Sequence, residues 1–261
     1  LVGSEMCIRD RFMTKLDIQN TIKLLNQYKL SGVDENIGNM AKNRYGKGTI
    51  KSPDKLQSKE ETDLPQHEIE KDILNIDSLE SLKEYMSNFK GCELHKSATN
   101  MVFSDGNPSA KIMLIGEAPG HDEDIQGKPF VGRSGKLLDK MLEAIDLNRE
   151  KVYIANIVPW RPPNNRRPTD EEIEICLPMI KKHIEIVNPK AILLLGSTAT
   201  YALIKNNEGI TKIRGKWLDI EINKKKYPIL PTFHPAFLLR QPAQKKFSWE
   251  DLKSLKKKVK I

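Results

Sequence analysis

Cysteine is scarce in this chain: Cys7, Cys92 and Cys176 are the three among 261 residues. Three thiols cannot build a disulfide framework, so apolar packing must close the core, in keeping with a reducing, cytoplasmic setting. Long hydrophobic runs are missing as well. No stretch approaches the roughly 20 apolar residues that a membrane-spanning helix requires, and no charged start leads into an apolar signal segment. Aromatic residues make up only 6%, yet apolar residues reach 38%, which suits a Leu/Ile/Val core rather than disorder throughout. Acid is in deficit: 43 Lys and Arg against 35 Asp and Glu leave a formal net charge of +8. That excess favours a polyanionic partner, nucleic acid ahead of an anionic membrane surface.

What is present divides the chain in four. Residues 1–12 read as a non-native leader, with Met13 as the expected start. Residues 13–31 carry Leu16, Ile22, Leu24, Leu25, Tyr28 and Leu30 at the spacing of a short amphipathic helix. From 32 to 76 the pattern dissolves into Gly, Asn, Lys, Ser, Glu and Asp, the signature of a linker. Residues 77–261 form the expected main domain. Asp77-Ser78 caps a helix running to about Phe89; after it, strands at Ile112 to Ile115, Val152 to Val158, Ala191 to Leu195 and Ile229 to Phe233 alternate with helices. Thr169-Asp170-Glu171-Glu172 is a capping-box opening for one of these. Strands separated by helices predict a three-layer α/β/α fold around a mostly parallel, four-stranded sheet.

Residues just past the carboxyl ends of such strands converge on one crevice, so the chemistry is sought there. The first strand leads into Glu117, Asp122, Glu123 and Asp124, carboxylates able to hold a water or stabilise a cation, or simply to form a solvated turn. Phe130, between Gly127 and Gly132, suits stacking on a flat ligand as well as plain core packing. Asn156 closes the second strand and offers donor and acceptor together, as the edge of a base requires. Arg161, Arg166 and Arg167 lie among prolines in a stiff loop suited to phosphate or to solvent. His234 follows the last strand and is the best acid or electrostatic candidate. Pro235 stiffens the chain beyond it, and Leu238-Leu239-Arg240 would suit a wedge into stacked bases or an inward-packed turn. Lysines at 181–182, 224–226, 245–246 and 256–258 could track phosphates or form solvated surface.

Three ordered segments together resemble family 4 of the uracil-DNA glycosylase superfamily. They are Gly116-Glu-Ala-Pro-Gly-His-Asp-Glu-Asp-Ile-Gln-Gly-Lys-Pro-Phe-Val-Gly-Arg-Ser-Gly135, then Asn156 with Trp160-Arg-Pro-Pro163, then His234-Pro-Ala-Phe-Leu-Leu-Arg240. The resemblance runs from about Leu82 to the C-terminus. It implies removal of uracil from DNA by hydrolysis of the N-glycosidic bond, the opening step of base-excision repair. By resemblance, Phe130 stacks on the flipped uracil, Asn156 bonds its amide edge, and Glu117 and Ala118 line the pocket. Glu123 would position or activate the attacking water, and His234 would stabilise charge on the departing uracil. Arg161, Arg166, Pro235, Leu238, Leu239 and Arg240 would contact DNA. The expected partner is uracil-containing DNA, met by a monomer and without a membrane. A non-catalytic DNA-binding module of the same fold, or a hydrolase of free nucleotides, remains the alternative.

The family's iron–sulfur cluster needs four cysteines, and this sequence departs from that set. The first pair reads Cys92-Glu93-Leu94-His95, the third position is Trp160, and Cys176 holds the fourth. The cluster is predicted absent, with Cys92, His95 and Cys176 the remaining candidates for any metal. The segment Asn164-Asn165-Arg166-Arg167-Pro168 lacks the His-bearing insertion of relatives that trap uracil covalently, so turnover is expected.

Overall fold

A computed structural model describes residues 66–205 and 208–260. The expected leader, N-terminal helix and most of the linker lie outside the described residues. In chain order the strands are β1 (Asp105–Gly106), β2 (Ile112–Gly116), β3 (Val152–Asn156), β4 (Ala191–Leu195), β5 (Leu218–Ile222) and β6 (Lys225–Thr232). They form one sheet in the order β1-β3-β2-β4-β6-β5. The central four are the strands expected from sequence, and all pair in parallel. Every residue of β2, β3 and β4 is buried, as a sheet covered on both faces demands.

Alternation along the strands sorts side chains into two cores. Met113, Ile115, Tyr153, Ile192 and Leu194 pack against helices Gln66–Ile73, Leu79–Asn88, Asp170–Val187 and Ser197–Ile204. Ile112, Leu114, Ile154 and Leu193 face helices Arg133–Glu143 and Lys245–Val259. This is the three-layer arrangement.

The sheet has six strands rather than four. The additions are antiparallel edges, β1 on β3 and β5 on β6. A two-residue strand leaves no periodic trace. Strand β5 does alternate, with Ile220 and Ile222 buried and Asp219 and Glu221 exposed. It turns into β6 through Asn223 and Lys224, both at positive φ, the conformation of a tight hairpin. Lysine in place of the usual glycine hid that turn.

Regular structure is also present before residue 77. Helix Gln66–Ile73 lies in the stretch expected to be linker; Ile69 and Ile73, four apart, are buried in the core. Lys182 donates from Nζ to the carbonyl of Leu74 at 3.1 Å, tying that helix to Asp170–Val187. The Thr169 capping box forms as read: Thr169 Oγ1 accepts from Glu172 N, and Glu172 Oε2 accepts from Thr169 N.

One buried group makes stability depend on pH. His183 lies between the ring of Phe103, 4.5 Å away, and Tyr153, whose hydroxyl is 3.0 Å from Nδ1. Burial pushes its pKa down to about 3. Between pH 6.5 and that value the unfolded chain binds a proton that the folded chain refuses. Stability from this group is therefore complete above pH 6.5 and declines as pH falls, by on the order of a few kcal/mol. Replacement by Gln, which keeps a partner for Tyr153, should flatten the decline in urea unfolding between pH 7 and 4.5. Equal slopes for His183→Gln and the parent would refute the assignment.

Candidate active site

The parallel register brings four strand ends level. Gly116 stands opposite Asn156, and Leu195 opposite Thr232. Chain order reverses about β2, which has β3 on one side and β4 on the other, the switch point where open α/β sheets bind ligands. A cleft of about 650 Å³ opens there, lined by Glu117, Ala118, Phe130, Asn156, His234 and Arg240 among others. Residues more than a hundred positions apart in sequence thus share one site.

Asn156 is buried, and its Oδ1 is the buried side-chain polar atom without a hydrogen-bond partner among the described residues. A buried unpaired acceptor costs about 1–3 kcal/mol, so its retention at the floor of a cleft points to an incoming donor. Gly116 explains how it stays accessible: a Cβ there would come within 2.6 Å of the Phe130 ring and closer still to Asn156 Oδ1. Glycine leaves the space between the aromatic and the amide open.

Phe130 is held against its own preference. Its φ is 56°, a conformation that costs a bulky residue on the order of 1–3 kcal/mol. Arg149 fixes it by donating to the carbonyls of Pro129, at 3.1 Å, and of Phe130. Asp105 and Asp139 hold that guanidinium at 2.7 and 2.8 Å. Gly135 is needed beside it, since any Cβ would strike the Phe130 carbonyl. Sequence reasoning missed Arg149, a lone arginine in an unremarkable stretch.

His234 caps helix Pro235–Arg240, its Nδ1 accepting from Ala236 N at 3.1 Å. The ring proton therefore sits on Nε2 as a donor. Desolvation first, and then the charge of Arg240, lower its pKa to about 4, so the ring is neutral at physiological pH. It lies 5.6 Å from the Phe130 ring, centroid to centroid. The strand end before it is anchored by Asp251, whose carboxylate accepts from Thr232 Oγ1 at 2.6 Å and from Arg214.

The two glutamates differ. Glu123 accepts from three backbone N–H groups: Gly120 at 3.1 Å, Val131 at 3.0 Å and Gly132 at 2.9 Å. Those bonds staple the 120–132 loop and occupy most of the carboxylate, which argues against the expected water-activating role. Glu117, which lines the cleft, accepts one bond at Oε2, from Thr198 Oγ1 at 2.5 Å, with no second bond among the described residues. Thr198 was also missed, although Gly196-Ser197-Thr198 after β4 is the same strand-to-helix step that flagged the other loops.

Several expected DNA contacts are placed otherwise. Leu238 is 1% exposed and packs in the core, whereas Leu239 is 42% exposed; on a single helical turn, adjacent side chains cannot share a face. Pro235 is buried as the first helical residue. Arg161 bonds Asn165 and His121 and lies 3.7 Å from Asp124, which bridges two loops rather than facing the cleft. Arg166 lines the cleft while paired at 2.8 and 2.6 Å with Glu172, and Arg240 lines it unburied. The lysines at 224–226 belong to the hairpin at the far end of β6 from His234, and Lys182 is buried.

The residues at the expected cluster position do not fit a four-thiolate group. Cys92 and Cys176 are fully buried and free, and a thiol hydrogen bond between them pulls the Cys92 pKa down and pushes that of Cys176 up. His95 is turned to the Cys92 carbonyl at 2.7 Å. Trp160 is buried and stacks on Phe89, 6.3 Å between centroids. Among the described residues, no three His, Cys, Asp or Glu side chains gather as metal ligands.

Comparison with known proteins agrees with this geometry. A family model for the uracil DNA glycosylase superfamily matches residues 103–255. A type-4 uracil-DNA glycosylase of Sulfurisphaera tokodaii is 42% identical over 186 residues, covering 69% of this chain and 84% of that one. The type-4 enzyme of Thermotoga maritima is 40% identical over 185 residues, 70% and 95% of the two chains. That of Archaeoglobus fulgidus is 39% identical over 184 residues, 69% and 92%. Cleft and kinship lead to one family, and the chain belongs to the uracil-DNA glycosylase superfamily, on its type-4 side.

Proposed function

We propose that this protein removes uracil from DNA by hydrolysing the N-glycosidic bond, leaving an abasic site for base-excision repair. The observation that carries this reading is the unpartnered Asn156 Oδ1 in the cleft. The N3–H of uracil is the donor it lacks, and its amide N–H would donate to O4. Cytosine presents the reverse pattern and would leave buried groups unpaired. A base inside a stack cannot reach such a floor, so the nucleotide must be extruded, at a cost of a few kcal/mol. Stacking on Phe130 offsets part of this, and Leu239, exposed on helix Pro235–Arg240, replaces Leu238 as the wedge candidate. Arg240 at the rim suits a flanking phosphate.

In the chemical step the C1′–N1 bond breaks and its electron pair leaves with uracil, spreading onto O2. His234 Nε2–H donates to that oxygen without surrendering a full proton. Water adds to C1′, and its proton passes to Glu117, the cleft-lining carboxylate with one hydrogen bond among the described residues.

The catalytic domain works without iron in this reading, because Trp160, Phe89 and two thiols pack the space a cluster would need. The test is excision from a labelled oligonucleotide bearing one uracil, read by alkaline strand cleavage, with iron measured in the same preparation. Uracil-dependent cleavage by iron-free protein is expected, and Cys176→Ala should keep the rate within about threefold, the change being remote from the reacting atoms. DNA binding without cleavage by folded protein would instead favour the non-catalytic module.

A further inference from the structure

Thr198 occupies an unusual place for a threonine at a helix start. Strand β4 ends at Leu195, Gly196 turns the chain at φ 95°, and helix Ser197–Ile204 begins. The turn is tight against the catalytic loop, since a Cβ on Gly196 would stand 2.9 Å from the Cβ of His234. Thr198, second in the helix, is wholly buried. Threonine in a helix commonly turns its hydroxyl to its own backbone, as Thr200 does here, donating to the Gly196 carbonyl at 2.8 Å. Thr198 instead directs its single proton to the Oε2 of the cleft-lining Glu117 at 2.5 Å.

The receiving end is rigid as well. Gly116 and Glu117 accept through their carbonyls from Ile157 and Val158, extending the β2–β3 ladder past the strand ends. Only the glutamate side chain, with its three rotatable bonds, is left to be oriented, and the Thr198 hydroxyl is its hydrogen-bond partner among the described residues. A short bond to an ionised acceptor is among the stronger ones available. Fixing one carboxylate oxygen determines where the other points.

We infer that Thr198 is a positioning residue: it holds the Glu117 carboxylate so that the free oxygen meets the attacking water in line with C1′. The inference rests on the reading of Glu117 as the water-binding group. It concerns orientation alone, so its loss should slow the chemical step and leave binding of the extruded base untouched.

The experiment is single-turnover excision and DNA affinity for Thr198→Val and Thr198→Ser, each in the parent and in a Glu117→Ala background. Valine keeps the shape and removes the hydroxyl, and the expected slowing is about 10- to 100-fold, the scale of a misdirected reacting group. Affinity for uracil-containing DNA and the melting temperature should stay near the parent values, and serine should restore the rate to within about threefold. In the Glu117→Ala background valine should add nothing. A parental rate for Thr198→Val beside a slow Glu117→Ala protein overturns the inference while sparing the role of Glu117. A parental rate for Glu117→Ala overturns the underlying reading. Equal slowing by valine in both backgrounds, or no rescue by serine, leaves Thr198 a packing residue and overturns the inference too. Were the valine protein unfolded, Thr198→Ala, smaller and free of clash, carries the same comparison.

Discussion

His234→Ala is expected to lose about 10²–10³-fold in single-turnover uracil excision, the effect of deleting one donor aimed at developing negative charge. Affinity for uracil-containing DNA should change little, because the bond strengthens only as the base departs. The structure specifies the protonation state that does this. Nδ1 is engaged as acceptor from Ala236 N, and burial lowers the pKa to about 4, so neutral imidazole presents Nε2–H throughout the range where such an enzyme works. The activity profile should therefore carry no inflection near pH 6.5 from this residue. As pH falls toward 4 the ring gains a proton, Nδ1 ceases to accept, and the helix cap is lost. Stability follows the same sign: the unfolded histidine protonates first, so the contribution is whole above pH 6.5 and drains away below it. An inflection between pH 6 and 7 that disappears in His234→Ala would contradict a neutral donor.

Asn156→Ala should be the second severe variant, with excision reduced by about 10²–10³-fold, the scale of removing one preorganised hydrogen-bonding group from an active site. Its signature lies in stability. Truncating a buried, satisfied side chain lowers the melting temperature; here the acceptor has no protein partner, and removing it relieves a desolvation penalty of about 1–3 kcal/mol. The loss of side-chain packing offsets that gain, so thermal stability should be level with the parent or above it while activity collapses. A marked fall in melting temperature together with retained excision would mean that Asn156 serves the fold rather than the base.

Much of this was legible from sequence because the signals were local. Continuous apolar runs at 112–115 and 191–195, too short for a typical helix, read as strands buried on both faces, and the Thr169–Glu172 capping box is set by atoms three residues apart. The loops after those strands followed from connectivity, which is why Phe130, Asn156 and His234 could be expected near one crevice, and all three line the same cleft. What failed was each inference that needed a direction in space. Leu238 and Leu239 are neighbours in sequence with one chemistry, and only the packing of helix Pro235–Arg240 on the core turns the first inward and the second outward. Arg161 and Lys182 read as free cations until the structure brought Asp124, Leu74 and Glu185 to them. Glu123 and Glu117 could not be told apart, since three backbone donors converge on one and a buried hydroxyl on the other.

By itself the sequence determined the layers, the four parallel strands and the set of loops from which a site is drawn, because periodicity and capping are short-range properties of a chain. Tertiary structure decided the two edge strands, the helix at 66–73, the strained Phe130 with its Arg149 anchor, and the different hydrogen-bond partners of two carboxylates. Those depend on contacts between residues far apart in sequence, 81 positions between Thr198 and Glu117 and 108 between Leu74 and Lys182. Hydrogen-bond partners and burial, which set the chemistry of a polar group, exist only once the chain has closed around it.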